Sequence, residues 1–123
     1  MNTFTPVELD KQYTVADIER IVYEAKCAAY AAAQTFFNDV MDGEDRGACG
    51  FAWVNIHGIK GNTRIGRKLK QAGVDRSWDK SYQIWNPSGY PVQNIDTLEA
   101  GARAAAEVFK HYGFEAYAGS RLD

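Results

Sequence analysis

Cysteine and histidine are scarce in this sequence, and their spacing is as informative as their number. Two cysteines and two histidines occur in 123 residues, without a Cys-x-x-Cys pair and without two histidines at metal-ligand spacing. Cys27 and Cys49 lie on apolar segments, so we expect reduced core residues of a cytosolic protein, with a disulfide between them as the alternative. The sequence therefore excludes a disulfide-rich scaffold, and we expect neither a bound metal nor a cofactor.

Long apolar runs are also absent. No stretch approaches the roughly 20 apolar residues that a membrane helix needs. Residues 1–6 have neither the basic region nor the apolar core that is typical of a secretory signal. We therefore expect a cytoplasmic protein without a membrane partner.

Apolar and aromatic side chains are abundant. The hydrophobic fraction is 46%, and seven tyrosines, six phenylalanines and three tryptophans supply large surfaces for burial. A chain of 123 residues fits one domain with one core. We expect an irregular N-terminal arm over residues 1–12 and a single α+β domain over residues 13–123.

Two segments carry long helical patterns. The first runs over residues 15–41, after Thr14 as an N-cap with Asp17 three residues later. The second begins at a capping box over residues 96–99 and ends before Gly113. Each pattern predicts a helix with an apolar face for a core.

The first helix has a second, aromatic stripe. Tyr23, Tyr30 and Phe37 are spaced seven residues apart, beside the main apolar face. Either this helix lies centrally across a sheet, or the stripe contacts another subunit. We expect a homo-oligomer, because one small sheet does not cover both stripes.

Short apolar segments predict the strands. In the first of them Phe51 and Trp53 alternate with small aliphatic residues, and we expect both faces to be covered. The predicted strands span residues 49–56, 82–85 and 114–118, with a short edge strand over 90–93, and a short helix spans 64–71. This order predicts a two-layer α+β sandwich, in which a small three- to four-stranded sheet packs against two long helices.

Positive charge is concentrated in the middle of the chain. Residues 47–83 contain seven basic and two acidic residues, whereas the flanking segments 1–46 and 84–123 carry net charges of −5 and −2. Gly61 and Gly66 punctuate this basic segment, but Arg67 stands where a phosphate-binding P-loop needs lysine. The asymmetry indicates an anionic partner, with a solvated basic face as the alternative.

Aromatic residues surround the basic segment in sequence, a pattern that suits stacking on nucleobases. Because the basic residues of the short helix are three and four apart, we expect them to share one exposed face. Trp78 lies in a polar connection, so we expect it to be accessible. The predicted ligand-binding residues are Lys60, Arg64, Arg67, Lys68, Lys70, Arg76, Trp78 and Lys80.

No recognisable catalytic constellation accompanies these residues. His57 and His111 lack metal-ligand neighbours in sequence, and the serines lack nucleophile-elbow glycines. Whether the protein is an enzyme is left open, and the pattern favours a non-enzymatic module that binds nucleic acid or a phosphorylated nucleotide. The alternative is a protein-interaction or inhibitor module that targets a host protein through its first helix.

Two segments carry a resemblance. Residues 49–54, Cys-Gly-Phe-Ala-Trp-Val, and residues 118–123, Ala-Gly-Ser-Arg-Leu-Asp, resemble segments of small uncharacterised proteins of tailed bacteriophages. The resemblance implies a virus-encoded accessory protein that acts in the cytoplasm of a bacterial host. It transfers no functional residues to this chain.

Overall fold

A computed structural model describes residues 3–123 and contains four helices and four strands. In chain order these are α1 (Pro6–Gln12), α2 (Val15–Asp39), β1 (Gly50–His57), α3 (Arg64–Gln71), β2 (Asp75–Arg76), β3 (Tyr82–Trp85), α4 (Ile95–His111) and β4 (Glu115–Leu122). None of the helices within residues 3–123 is both long and apolar enough to cross a membrane. The α+β class expected from the sequence is confirmed.

The four strands form one antiparallel sheet in the order β2-β3-β1-β4. From β1 onwards the elements alternate as β-α-β-β-α-β, so two split β-α-β units interlock around the central β1–β3 pair. In this register Trp53 of β1 lies opposite both Trp85 of β3 and Gly119 of β4. The connectivity therefore brings three distant parts of the chain to one point on the sheet.

The core lies on one side of the sheet, which we call the inner face. Ala52, Val54 and Ile56 of β1 are no more than 1% exposed and point into it. Val54 and Ile56 join one buried cluster with residues of α2, α3 and α4, and Ala52 joins a second with Leu98 of α4. The helices cover the inner face, as the two-layer prediction requires: α4 packs on β1 and β4, and α2 packs along α4 and against α3.

The N-terminal arm expected over residues 1–12 is wrong for the part that forms α1. Thr5 caps this helix, since its hydroxyl accepts from the N–H of Glu8 while the Glu8 carboxylate accepts from the N–H of Thr5. Pro6 occupies the first helical position, where its missing N–H costs nothing. Residues 1 and 2 lie outside the described residues.

Both long helices begin after a polar N-cap residue, but α4 begins earlier than expected. Thr14 and Asp17 form the predicted capping box of α2. The N-cap of α4 is Asn94, whose side chain accepts from the N–H of Thr97, so the helix begins one residue before the expected box. Asp45 fixes this corner, because its carboxylate accepts from the backbone N–H of Asn94 at 2.9 Å.

Two smaller expectations are also corrected. Residues 90–93 form a loop rather than an edge strand, and the Tyr90 ring packs at 5.2 Å from Tyr30 and 5.6 Å from Phe37. Part of the aromatic stripe on α2 is therefore covered from within the chain. Cys27 and Cys49 are both free and exposed, not buried core residues.

Candidate functional site

The other side of the sheet, which we call the outer face, is open. Trp85 is 49% and Tyr117 51% exposed, although both belong to strands of the sheet. The prediction that both faces of β1 are covered is therefore wrong, because the described helices pack on the inner face. Alternation along the paired strands places these residues on the outer face: Phe51, Trp53, Asn55, His57, Gln83, Trp85, Glu115, Tyr117, Gly119 and Arg121.

Three aromatic rings form a continuous surface on the outer face, which we call the aromatic platform. The Trp53 and Trp85 rings are stacked with centroids 5.2 Å apart and planes within 5° of parallel. The Phe51 ring lies 5.6 Å from Trp85. A side chain at Gly119 would overlap the Trp53 indole, so this glycine lets the indole lie against β4. The platform is an apolar aromatic surface whose rings are carried by β1 and β3.

Cationic side chains border the outer face. The Arg121 guanidinium lies 5.3 Å from the Phe51 ring centroid, and the Lys110 ammonium lies 5.6 Å from that of Tyr117. The His57 ring lies 5.7 Å from the same tyrosine. Lys110 also pairs with the Glu107 carboxylate at 3.1 Å. The open face therefore combines π surfaces with the positive charge of Arg121 on β4.

Trp78 projects from the hairpin between β2 and β3 and is 95% exposed. The hairpin is closed by the N–H of Ser77, which donates to the carbonyl of Ser81 at 2.8 Å. The Ser81 hydroxyl bridges Asp79 at 2.7 Å and Asn55 of β1 at 3.2 Å. These bonds attach the hairpin to the outer face and hold Trp78 at its margin.

Hydrogen bonding in this hairpin shifts one carboxyl group. The hydroxyl and the backbone N–H of Ser81 hold the pKa of Asp79 below its usual range. Weaker contributions in the same direction come from Ser77 and from the attraction of His57. Asp79 is therefore a charged acceptor that keeps the hairpin folded at neutral pH.

Six of the eight predicted ligand-binding residues are exposed, and we call this set the basic edge. Arg76 lies with its guanidinium against Gly61 and 5.1 Å from the Tyr82 ring centroid, so β2 and the segment before α3 meet here. Across residues 3–123 the six make no ion pair with an acidic group. They are Lys60, Arg64, Arg67, Lys70, Arg76 and Lys80, all of them exposed.

Lys68 is the exception among the basic residues of α3. Its ammonium pairs with the Asp10 carboxylate at 2.8 Å and donates to the carbonyls of Asp10 and Tyr13 at 2.8 and 3.0 Å. The expectation that it shares the exposed face of Arg64 and Arg67 is wrong, because the end of α1 covers it. Lys68 ties α1 to α3, and the predicted role of the other seven residues stays a prediction.

Sequence reasoning missed the aromatic platform. The sequence predicts a covered strand face for Phe51 and Trp53. Trp53 and Trp85 are among the aromatic residues around the basic segment, but a core position is favoured for strand aromatics, and the sequence does not single out Tyr117. The signal was the alternation in β1, where the inner positions hold small aliphatic residues and the outer ones hold the largest rings, an asparagine and a histidine. A strand buried on both sides would have apolar residues throughout.

A cavity of about 300 Å³ adjoins the platform at the end of the sheet. Phe51 and Trp85 line it, together with polar groups of Cys49, Asn86, Gln93 and Asp123. Among residues 3–123 no three histidine, cysteine or acidic side chains come together as a metal site. Comparison with protein-family models, curated proteins and solved structures finds no match for this chain.

Proposed function

We propose that this protein is a non-enzymatic module that binds single-stranded nucleic acid across its outer face. The observation that carries the proposal is the stacked Trp53–Trp85 pair on an open strand surface, with Trp85 half exposed. Large apolar side chains contribute most to folding free energy when they are buried. An exposed stacked pair therefore indicates a surface that binds a partner. Unpaired bases are flat, apolar on their faces and suited to this surface.

The chemistry of the platform favours single strands over duplexes. Bases in a duplex are stacked on each other, so their faces do not reach a flat protein surface. An open four-stranded sheet with exposed aromatic rings is an established arrangement for stacking successive unpaired bases. Phe51, Trp53 and Trp85 supply three adjoining rings, and the exposed Trp78 supplies a further ring in the hairpin at the other end of β3.

Positive charge near the platform fits a phosphate backbone. Arg121 borders the outer face beside Phe51, and Arg76 and Lys80 lie on either side of Trp78 in the sequence of the β2–β3 hairpin. Glu115 lies on the same face beside His57, and Lys110 pairs with Glu107 at this corner. The phosphates would therefore follow Arg121 and avoid this corner. Stacking and phosphate contacts together would bind a short strand without requiring a defined sequence.

Quenching of tryptophan fluorescence by short oligonucleotides tests this proposal. We expect ten-residue RNA and DNA single strands to quench the signal at low salt, and the matching duplexes to bind more weakly. The logarithm of the binding constant should fall with the logarithm of salt concentration by roughly 0.7 for each phosphate contacted. Equal binding of duplex and single strand would contradict the stacking mechanism. The same titration with free nucleotides tests whether a phosphorylated nucleotide is sufficient as the ligand.

A second surface favours a protein-interaction role. Tyr23 of α2 is 72% exposed and Val40 57% exposed, and a shallow apolar groove follows the same helix. The groove is lined by Ala31, Ala32, Thr35, Phe36, Asp39, Val40 and Ala100. A host protein or a second copy of this chain would bury this surface. Light scattering at several concentrations tests self-association, and a mass of 13.7 kDa at every concentration would exclude self-association. Phage origin and a cytoplasmic location stay predictions.

A further inference from the structure

The cavity beside the platform exists because the strands differ in length. β1 begins at Gly50, whereas β3 ends at Trp85, opposite Trp53, so the first residues of β1 have no β3 partner. The chain leaves the sheet at Asn86, whose N–H donates to the Ala52 carbonyl at 2.9 Å. It returns at Gln93, whose carbonyl accepts from the N–H of Gly50 at 3.1 Å. The loop between these two contacts encloses the space.

The walls of the cavity are of two kinds. Phe51 and Trp85 of the platform form one wall, with Val92 and Leu98 as further apolar groups. Asn86, Gln93 and Asp123 add polar groups. A volume of about 300 Å³ is at the lower end of small-molecule sites and suits one flat heterocycle. A base stacked on the platform would therefore meet a polar rim at its edge.

Hydrogen bonds within the protein leave specific groups free at this rim. The Asn86 side-chain carbonyl accepts from the Ser88 hydroxyl at 3.3 Å, and that of Gln93 accepts from the Cys49 thiol at 3.7 Å. Within residues 3–123 the NH₂ groups of both amides have no acceptor, and the Asp123 carboxylate has no donor. The rim therefore offers amide donors and one anionic acceptor.

We propose that this cavity binds a guanine base of the bound strand, an inference that rests on the proposed function. Guanine presents two adjacent N–H donors, at N1 and N2, which match the two oxygens of the Asp123 carboxylate. Its O6 accepts from the amide of Asn86 or Gln93. Adenine and cytosine each place a ring-nitrogen lone pair where guanine has its N1–H donor, and this lone pair would face the carboxylate unfavourably.

Uridine heptamers with a single central guanine, adenine or cytosine test this inference, in ribose and deoxyribose forms. We expect the guanine heptamer to bind about tenfold more tightly than the others, since one bidentate base contact discriminates by about that factor. Asp123→Asn should remove this preference, because the amide replaces one acceptor oxygen by a donor. Asp39→Asn, the same change at the end of α2, should leave the preference intact.

The outcomes separate the cavity from the platform. Equal binding of all heptamers overturns the guanine site but supports the platform, and a preference for adenine or cytosine also overturns it. Retention of the guanine preference in folded Asp123→Asn, or its loss in Asp39→Asn as well, overturns the assignment of the carboxylate. Failure of every oligonucleotide to bind overturns both the proposed function and the guanine site. The ribose and deoxyribose series distinguish RNA from DNA as the source of the base.

Discussion

The inner and outer faces of one strand, β1, differ in the size and chemistry of their side chains. The inner positions hold alanine, valine and isoleucine, and each is no more than 1% exposed. The outer positions hold phenylalanine, tryptophan, asparagine and histidine, and each is partly exposed. The larger apolar groups thus lie on the face that the chain does not cover.

We therefore expect the inner face of β1 to contribute to stability and its outer face to contribute to recognition. Small inner residues allow the helices to approach closely, and Ala102 of α4 belongs to the same buried cluster as Ala52 of β1. Large outer rings add little to a core but present a broad flat surface. Substitutions on the inner face should therefore reduce the free energy of unfolding, and substitutions on the outer face should reduce binding.

The largest expected effect is on the inner face. Ile56→Ala should lower the free energy of unfolding by about 2–5 kcal/mol, because it removes fully buried methyl groups and leaves a cavity. Chemical denaturation measures this change. If Ile56→Ala were as stable as the unmodified chain, the inner face would not be the core that the structure describes.

The second largest expected effect is a loss of binding affinity after a substitution on the outer face. Trp85→Ala should weaken binding of a single strand by about 1–3 kcal/mol, the range for the loss of one stacked base. The free energy of unfolding should change by about 1 kcal/mol or less, since a half-exposed cross-strand pair is lost. Titration of labelled oligonucleotides and thermal melts provide the two measurements.

Two controls sharpen this prediction. Trp85→Phe retains a ring and should retain most of the affinity, while Tyr23→Ala removes an exposed aromatic ring from α2 and should leave binding unchanged. A loss of affinity in Tyr23→Ala equal to that in Trp85→Ala would assign recognition to the helical surface instead.

Two neighbouring basic residues of α3 should also differ in role: Lys68 should contribute to stability and Arg67 to binding. Lys68→Met should lower the free energy of unfolding by about 1–3 kcal/mol, because it leaves Asp10 and two carbonyls without their donor. Arg67→Glu should change it by less than about 0.5 kcal/mol, since its exposed side chain makes no ion pair within residues 3–123.

In binding, Arg67→Glu should flatten the salt dependence by roughly one phosphate contact. Salt titrations of both variants measure this, and an unchanged slope in folded Arg67→Glu would mean that the basic edge is only a solvated surface.

The smallest effect concerns pH and the hairpin that carries Trp78. Hydrogen bonds from Ser81 lower the pKa of Asp79 in the folded state, so the charged carboxylate favours folding. Its contribution is present above the unfolded pKa of about 3.9 and is lost as the pH falls through the lower folded value. The difference in melting temperature between the unmodified chain and Asp79→Ala should therefore decrease in acid below about pH 4. If the difference in melting temperature increased below about pH 4, the pKa of Asp79 would not be lowered by folding.

Patterns local in sequence were sufficient for most elements. The sequence predicts the helix over residues 64–71 and the strand over residues 82–85, both with the observed bounds. The errors involve distant contacts. The predicted irregular arm overlooks Thr5 and Pro6, which are start signals for α1. The predicted exposure of Lys68 overlooks Asp10, which is far away in sequence. Neither periodicity nor charge counting reports such partners.

By itself the sequence determined the α+β class, the cap of α2, and the concentration of positive charge in the middle segment, because propensity, capping and composition act over a few residues. Only the tertiary structure decided which strand face is covered, where Lys68 finds its partner, and that β3 stops short of the start of β1. These features depend on strand register and helix docking, and residues far apart in the chain set both.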